Sequence, residues 1–240
     1  MCDACGCGDS ELVPVAVHER ILAINDRTAQ HNREHFHDHH LRVINLMGSP
    51  GSGKTAVLEA TAHRLGADSK LGVLVGDLAT DNDARRVRQA GIVAEAITTG
   101  SACHLDAEMV HKGLHRLPWR GLDYLFIENV GNLVCPAVYD LGQDVNVVAL
   151  SVTEGEDKPL KYPIIFRKAD LVLLTKIDLL PALPQIQVAR IEENLTYVMP
   201  KPAMIRLSAT TGEGIDQWVR WLNGIKVPRA AACAVGAASW

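Results

Sequence analysis

The chain has 240 residues, 48% apolar and 22% charged, enough for one sizeable globular domain with extensions. A formal net charge of -4 gives no basic face for a nucleic-acid partner, and no apolar run approaches the ~20 residues that span a bilayer. The opening MCDACGCGDS lacks the basic and hydrophobic regions of a secretory signal, so a cytoplasmic chain with its six cysteines reduced is expected.

Cys2, Cys5 and Cys7 form C-x-x-C-x-C, close enough for three thiolates to converge on one soft ion; Zn²⁺ and Ni²⁺ both accept such ligands. The free α-amine is the candidate fourth ligand, and a planar N/S set favours Ni²⁺. The alternative is a tail whose thiols merely oxidise. From Val13 to Gln30, the spacing of Val17, Ile21, Ile24 and Thr28 predicts an amphipathic helix packed on the following domain. His31 to His40, HNREHFHDHH, holds five of the ten histidines. It reads as a weak, multi-site metal store or as a solvated polar linker, not as a catalytic centre.

The apolar run Leu41 to Met47 leads into Gly48 to Thr55, GSPGSGKT, which matches G-x-x-x-x-G-K-S/T, the phosphate loop between a buried strand and a helix. Gly48, Gly51 and Gly53 let successive N–H groups of the loop, with Ser49 and Ser52, point at a phosphate. Lys54 supplies a charge for the β and γ oxygens and Thr55 a hydroxyl for Mg²⁺. The helix entered through Thr55, Ala56 and Val57 turns its positive end to the anion.

A helix from Lys54 to Leu65 precedes LGVLVGD, Leu71 to Asp77, a buried parallel strand. Asp77, at the carboxyl end where ligands bind in such sheets, is placed to hold Mg²⁺ through water, or else to cap a helix. Thr80 to Gln89 reads as a solvated helix in a switch-like position, and Ile92 to Ile97 as a strand. A loop from Gly100 to Cys103 then meets a helix from Leu105 to Leu117. Cys103 and His104 at that junction form half a metal site, or a buried thiol beside a surface histidine. His104, His111 and His115, with Glu108, share one helical face, either an adventitious metal site or a solvated surface.

The strand Asp123 to Ile127 is followed by ENVGNLVCP. Glu128 and Gly131 have the form of the second nucleotide switch, a carboxylate near Mg²⁺ and a glycine N–H that senses the γ-phosphate. Cys135, four residues later, would move with that segment, so a site shared with Cys103 and His104 would bind metal according to the nucleotide. Val145 to Val152 is a further strand. In TEGEDKPLKYP, Lys158 and Lys161 either meet nucleotide or a partner subunit or are simply solvated. Leu171 to Leu174 lead into Thr175, Lys176, Ile177 and Asp178, whose carboxylate accepts two guanine N–H groups that adenine does not present, while the Lys176 stem packs on the base. Ile205 to Leu207 precede Ser208, Ala209 and Thr210, a loop of the kind that closes over guanine O6. Glu213 to Leu222 predicts a last helix, and Cys233 lies in an Ala-rich tail with no function assigned.

The order of these motifs predicts an α/β fold, a doubly wound, mainly parallel sheet holding GTP and Mg²⁺. A thiol motif would occupy residues 1–10, helix and histidine tract 11–40, the GTPase domain 41–225 and a tail 226–240. No general base is obvious, so catalysis would rest on positioning and charge by Lys54, Mg²⁺ and the backbone.

These residues resemble the nickel-insertion GTPases of nickel–iron hydrogenase maturation, the HypB family. The likeness is carried by C-x-x-C-G-C, the histidine tract, GSPGSGKT, the ACH triplet at 102–104, ENVGNLVCP, EGEDKPLKYP, TKID and SAT, and fails only at the C-terminal tail. It implies a slow P-loop GTPase of the SIMIBI class, which forms homodimers around nucleotide. It further implies Cys103, His104 and Cys135 as a Zn²⁺ or Ni²⁺ site near the dimer interface, and Cys2, Cys5 and Cys7 as a high-affinity nickel motif. The implied partners are a small zinc-containing nickel chaperone and the hydrogenase large subunit. Thr175 departs from the Asn usual in GTPases. The alternatives are a urease-accessory nickel GTPase, a nickel or zinc store, and an ATP-dependent kinase. ENVGN and the N-terminal thiols argue against the first; GTP hydrolysis and GTP preference test the other two.

Overall fold

The structure, a computed structural model, describes residues 12–78, 81–100 and 102–226. Cys2, Cys5, Cys7 and Cys233 lie outside these residues. Seven strands, β1 (Arg42–Gly48), β2 (Leu71–Asp77), β3 (Val93–Thr98), β4 (Tyr124–Glu128), β5 (Val145–Ser151), β6 (Leu171–Thr175) and β7 (Met204–Arg206), form one sheet in the order β3-β2-β4-β1-β5-β6-β7. Every pairing is parallel. The helices are α1 (Leu12–Asp38), α2 (Lys54–Leu65), α3 (Asn82–Gln89), α4 (Ala107–Leu114), the short α5 (Lys158–Lys161) and α6 (Pro163–Arg167), α7 (Val188–Val198) and α8 (Ile215–Asn223).

The central strands are apolar throughout because helices cover both faces. Ile44 and Leu46 of β1 pack with Val57 and Leu58 of α2, Val87 of α3 and Trp218 and Leu222 of α8. On the other face, Val43 packs with Phe36 of α1 and Val110 and Leu114 of α4, and Met47 with residues of α6 and α7. Trp218 is fully buried and donates its indole N–H to Thr61 Oγ1 at 2.9 Å. Register aligns Leu46 with Glu128 and Val75 with Glu128, so the carboxyl ends of β1, β2 and β4 open together on one edge.

The N-terminal segment differs from its sequence pattern in two ways. Helix α1 continues to Asp38, so most of the histidine tract is helical rather than a linker. Its buried face is also not the apolar stripe: Ile21 and Ile24 are 49% and 65% exposed, whereas Asn25, Ala29, Asn32 and Phe36 are buried. These four recur at helical spacing, and two buried asparagines join α1 to the domain beside a two-pronged Arg33–Asp140 ion pair at 2.8 and 2.7 Å. Asn25 takes Ala107 N–H at 2.9 Å and donates to Asp140 O at 2.8 Å; Asn32 donates to Ala107 O at 2.9 Å and Leu141 O at 3.3 Å. Both polar backbone groups of the first residue of α4 are thus satisfied from α1. Elsewhere the differences are small. Leu105–Leu117 contracts to α4, TEGEDKPLKYP contains α5, and α7 had no sequence counterpart. Among the described residues, no helix is long and apolar enough to cross a membrane.

Candidate functional site

Gly48 ends β1 where a side chain cannot fit: its φ is +151°, and a Cβ would stand 2.5 Å from Ala149 O. The loop then wraps the entrance to α2. Lys54 is buried and folds back over it, donating to Gly48 O at 3.3 Å and Ser49 O at 3.1 Å. Burial lowers its pKa, against the pull of Glu128, Asp83 and Glu154. Thr55 donates its hydroxyl to Glu128 Oε1 at 2.8 Å. The other oxygen, Glu128 Oε2, is buried with no partner, as is Ser52 Oγ. Burial raises the Glu128 pKa to about 7, the Lys54 charge and the Thr55 hydroxyl opposing it. A buried carboxylate with an orphaned oxygen, next to a hydroxyl and sharing a cleft with Asp77, is a donor set that suits Mg²⁺.

That cleft encloses about 470 Å³ and is walled by Gly51, Gly53, Lys54, Thr55, Ala56, Asp77, Glu128 and Gly131. Helix α3 adds Asp83 and Arg86, which sequence reasoning left without chemistry; Arg86 is held in place by a two-pronged contact with Glu59 at 2.7 and 2.6 Å. Only the paired arginines of NDARR, facing a switch-like position, hinted at this. Gly131 presses on the phosphate loop, since a Cβ there would lie 2.9 Å from Pro50 N. Its neighbour Asn132 donates its N–H to Gly48 O at 3.1 Å.

A second cavity of about 220 Å³ adjoins the first through Gly53, Ala56 and Lys176, and is lined also by Thr175, Asp178, Ala209 and Thr210. It offers apolar walls and one carboxylate. Thr175 turns its hydroxyl to Ser52 O at 2.6 Å, and Lys176 reaches Gly51 O at 2.7 Å from a left-handed backbone (φ +58°). The threonine therefore ties β6 to the phosphate loop. Ser208 is buried behind this cavity, where its hydroxyl accepts Thr211 N–H at 3.1 Å. Lys158 lines neither cavity; its ammonium lies 3.9 Å from Glu154 and 5.2 Å from the Tyr162 ring centroid.

Cys103, His104 and Cys135 come together although they are distant in sequence. Their ligand atoms all lie within 4.8 Å of one another, with the two sulfurs 2.6 Å apart and Cys103 Sγ 3.8 Å from His104 Nδ1. The His104 ring stacks on Tyr139 at 3.9 Å, and burial lowers its pKa, which keeps the imidazole neutral and able to ligate. The Cys103 thiol, and then burial, push the Cys135 thiol up. Two sulfurs and an imidazole suit Zn²⁺ or Ni²⁺ and leave a position for a further ligand. One linking residue went unnoticed in the sequence. Asn129, buried beside Glu128, accepts Leu105 N–H at 3.1 Å and donates to Asn45 at 3.1 Å, joining the Cys103–His104 loop to the switch segment.

Residues 42–206 match the family described as CobW/HypB/UreG, nucleotide-binding domain. Over 221 residues the chain is 49% identical to hydrogenase maturation factor HypB of Azotobacter chroococcum mcd 1, covering 90% of this chain and 70% of that protein. The chain belongs to the HypB family. The fold agrees: HypB from Archaeoglobus fulgidus superposes with a TM-score of 0.78 at 42% identity, covering 85% of this chain and 99% of that one. HypB from Helicobacter pylori, solved in complex with nickel, gives 0.78 at 40% identity over 83% of this chain and 93% of that one. The P-loop, parallel-sheet class expected from the motifs is therefore that of HypB.

Proposed function

We propose that this HypB-family chain is a GTP-hydrolysing nickel metallochaperone, which helps insert nickel into the large subunit of nickel–iron hydrogenase in the cytoplasm. The observation that carries the reading is the join between the two sites. Gly131 abuts Pro50 of the phosphate loop, and Cys135, four residues on, faces Cys103 and His104.

In this reading the loop amides from Gly48 to Ala56, with Lys54, hold the phosphates of GTP or GDP. Asp178 selects guanine, with Lys176 and the Ser208–Thr210 loop around the base. Thr55, Glu128 and Asp77 would hold Mg²⁺, which would supply charge neutralisation for the transferring phosphoryl group. Lys54, now turned on its own loop carbonyls, would swing to phosphate oxygens. Release of the γ-phosphate loosens Gly131, the Cys135 side of the metal site shifts, and nickel, the cargo, is held less tightly. Zn²⁺ would occupy the same ligands in its place. By resemblance, Cys2, Cys5 and Cys7 form a further nickel site, Lys158 meets nucleotide across a homodimer, and a small zinc-containing nickel chaperone is the upstream partner.

The test measures nickel affinity with GDP and with a non-hydrolysable GTP analogue, in the chain and in Cys135→Ala. The chain should differ between the two nucleotides and the variant should not; equal affinities in the unaltered chain would remove the coupling. Phosphate release, abolished in Lys54→Ala, separates a switch from a store, and competition between GTP and ATP separates it from a kinase.

A further inference from the structure

Helix α1 carries two histidines one turn apart, and the fold sets them against His111 of α4, whose own neighbour one turn on is His115, directly past the end of that helix. On α1, the Nε2 atoms of His31 and His35 are 3.1 Å apart; those of His111 and His115 are 3.3 Å apart. Across the seam, the ring centroids of His31 and His111 are separated by 5.4 Å and those of His35 and His111 by 6.5 Å. A tetrahedral ion with Zn–N bonds of about 2.0–2.1 Å sets neighbouring ligand nitrogens roughly 3.3 Å apart. Each pair therefore already stands at the spacing of two ligands on one ion.

The seam is pinned by a buried side chain. Asn32, fully buried between the two helices, uses its amide N–H groups on Ala107 O and Leu141 O, so the atom 3.1 Å from His111 Nδ1 is its carbonyl oxygen. His111 must then carry its proton on Nδ1, which leaves Nε2, the atom facing His115, unprotonated. An outer hydrogen bond that fixes the tautomer in this way is a regular feature of ligating histidines. His31, His35 and His115 are exposed, so an ion can reach the seam; with ring centroids 5.4 and 6.5 Å apart across it, closing the four rings on one ion requires them to rotate.

We propose that His31, His35, His111 and His115 form a metal site across the α1–α4 seam, taking one borderline divalent ion of the Zn²⁺ or Ni²⁺ kind through imidazole nitrogens. It is separate from the Cys103–His104–Cys135 centre, although α4 starts directly after that loop. Bound metal would clamp α1 to the nucleotide domain.

The experiment uses the full chain with Cys2, Cys5, Cys7, Cys103 and Cys135 changed to Ser, titrated with Zn²⁺ against a chromophoric chelator and followed by thermal melting. Two double variants are compared, His31→Gln with His35→Gln and His111→Gln with His115→Gln, together with the quadruple variant. One shared site predicts that either double variant weakens the same ion by about tenfold or more, the scale on which even outer ligand partners act. It also predicts that the quadruple variant loses less than the two double variants' losses taken together, and that the Zn²⁺-induced rise in melting temperature is largely lost in both doubles. Independent losses that add in the quadruple variant would mean two unconnected surface pairs, and unchanged binding in all three would place the ion elsewhere in the histidine tract; either result overturns the site. The α1 double variant leaves the His111 hydrogen bond to Asn32 in place, so it reports on metal even if the α4 variant folds poorly.

Discussion

Replacing Glu128 by Gln should stabilise the nucleotide-free protein, and by an amount that depends on pH. The Glu128 pKa stands at about 7 in the fold against 4.5 ordinarily, because burial disfavours its charge. The folded state therefore holds a proton that the unfolded state has lost between those values, and stability falls as pH rises through this window. The difference corresponds to about 3 kcal/mol once pH passes about 8, and to almost nothing below about 4.5. Gln keeps an oxygen for the Thr55 hydroxyl and carries no charge, so it escapes this penalty. Lys54 sets a limit on the gain, since Glu128 is the foremost neighbour favouring its charged form. Urea unfolding of both proteins in EDTA, without nucleotide, at pH 5 and pH 8 isolates the effect, because all other titrating groups are common to the pair. The stability difference should widen toward pH 8; a constant difference would refute the assignment of a poorly compensated carboxylate at this position. With Mg²⁺ and GDP added, the order should reverse, the wild type gaining more than the variant.

Three further outcomes are expected. Asp178→Asn should weaken GDP by at least about tenfold and favour a xanthine nucleotide, since a charge-assisted hydrogen bond contributes about 1.5–3 kcal/mol; calorimetry with both nucleotides checks this, and unchanged GDP binding would remove Asp178 from the base site. In Gly131→Ala the new Cβ would meet Pro50 N at 2.9 Å, so nucleotide affinity should fall while far-ultraviolet circular dichroism stays the same. Asn32→Ala deletes three hydrogen bonds of a fully buried side chain. At about 1 kcal/mol each, that predicts roughly 3 kcal/mol of lost stability in urea, and a loss under 1 kcal/mol would mean that the Asn32 hydrogen bonds do not carry the docking of α1.

The nucleotide cleft was legible in the sequence because its chemistry is local: a phosphate loop is eight consecutive residues, and the strands beneath it are continuous apolar runs. Strand ends could be read to within a residue or so and α2 to the residue, whereas the helix after Cys103 was read three residues too long at its end and α5 and α6 were not read at all. The Cys103–His104–Cys135 cluster was legible as one candidate site only through the position of Cys135 after the switch motif and through the family resemblance, since nothing in the sequence measures the gap between Cys103 and Cys135; β4 lying beside β2 and β1 closes that gap. The α1 face was misjudged for a physical reason. Hydrophobic periodicity assumes that apolar residues mark the buried side, whereas here Asn25 and Asn32 are buried because they complete the hydrogen bonds of Ala107 at the start of α4. The polar character of that face also hid the histidine seam, which exists only once α1 and α4 are paired.

Asn129 and Asn132 bear most directly on how a change at the phosphate could reach the metal site. Asn132 hangs the segment that leads to Cys135 on Gly48 O, and Asn129 holds the Cys103–His104 loop through Leu105 N–H. The two halves of the site are thus tied to the switch segment at different points. Ala107, two residues past Leu105, is pinned from the other side by α1. A displacement of Gly131 would therefore act on Cys135 more than on Cys103 and His104, changing the distance between ligands instead of carrying the site along as a rigid body. In the proposed nickel site, ligand distances are held to about ±0.2 Å of their ideal values, so sub-ångström motion at Cys135 would be enough to change affinity and the proposal requires no large domain movement.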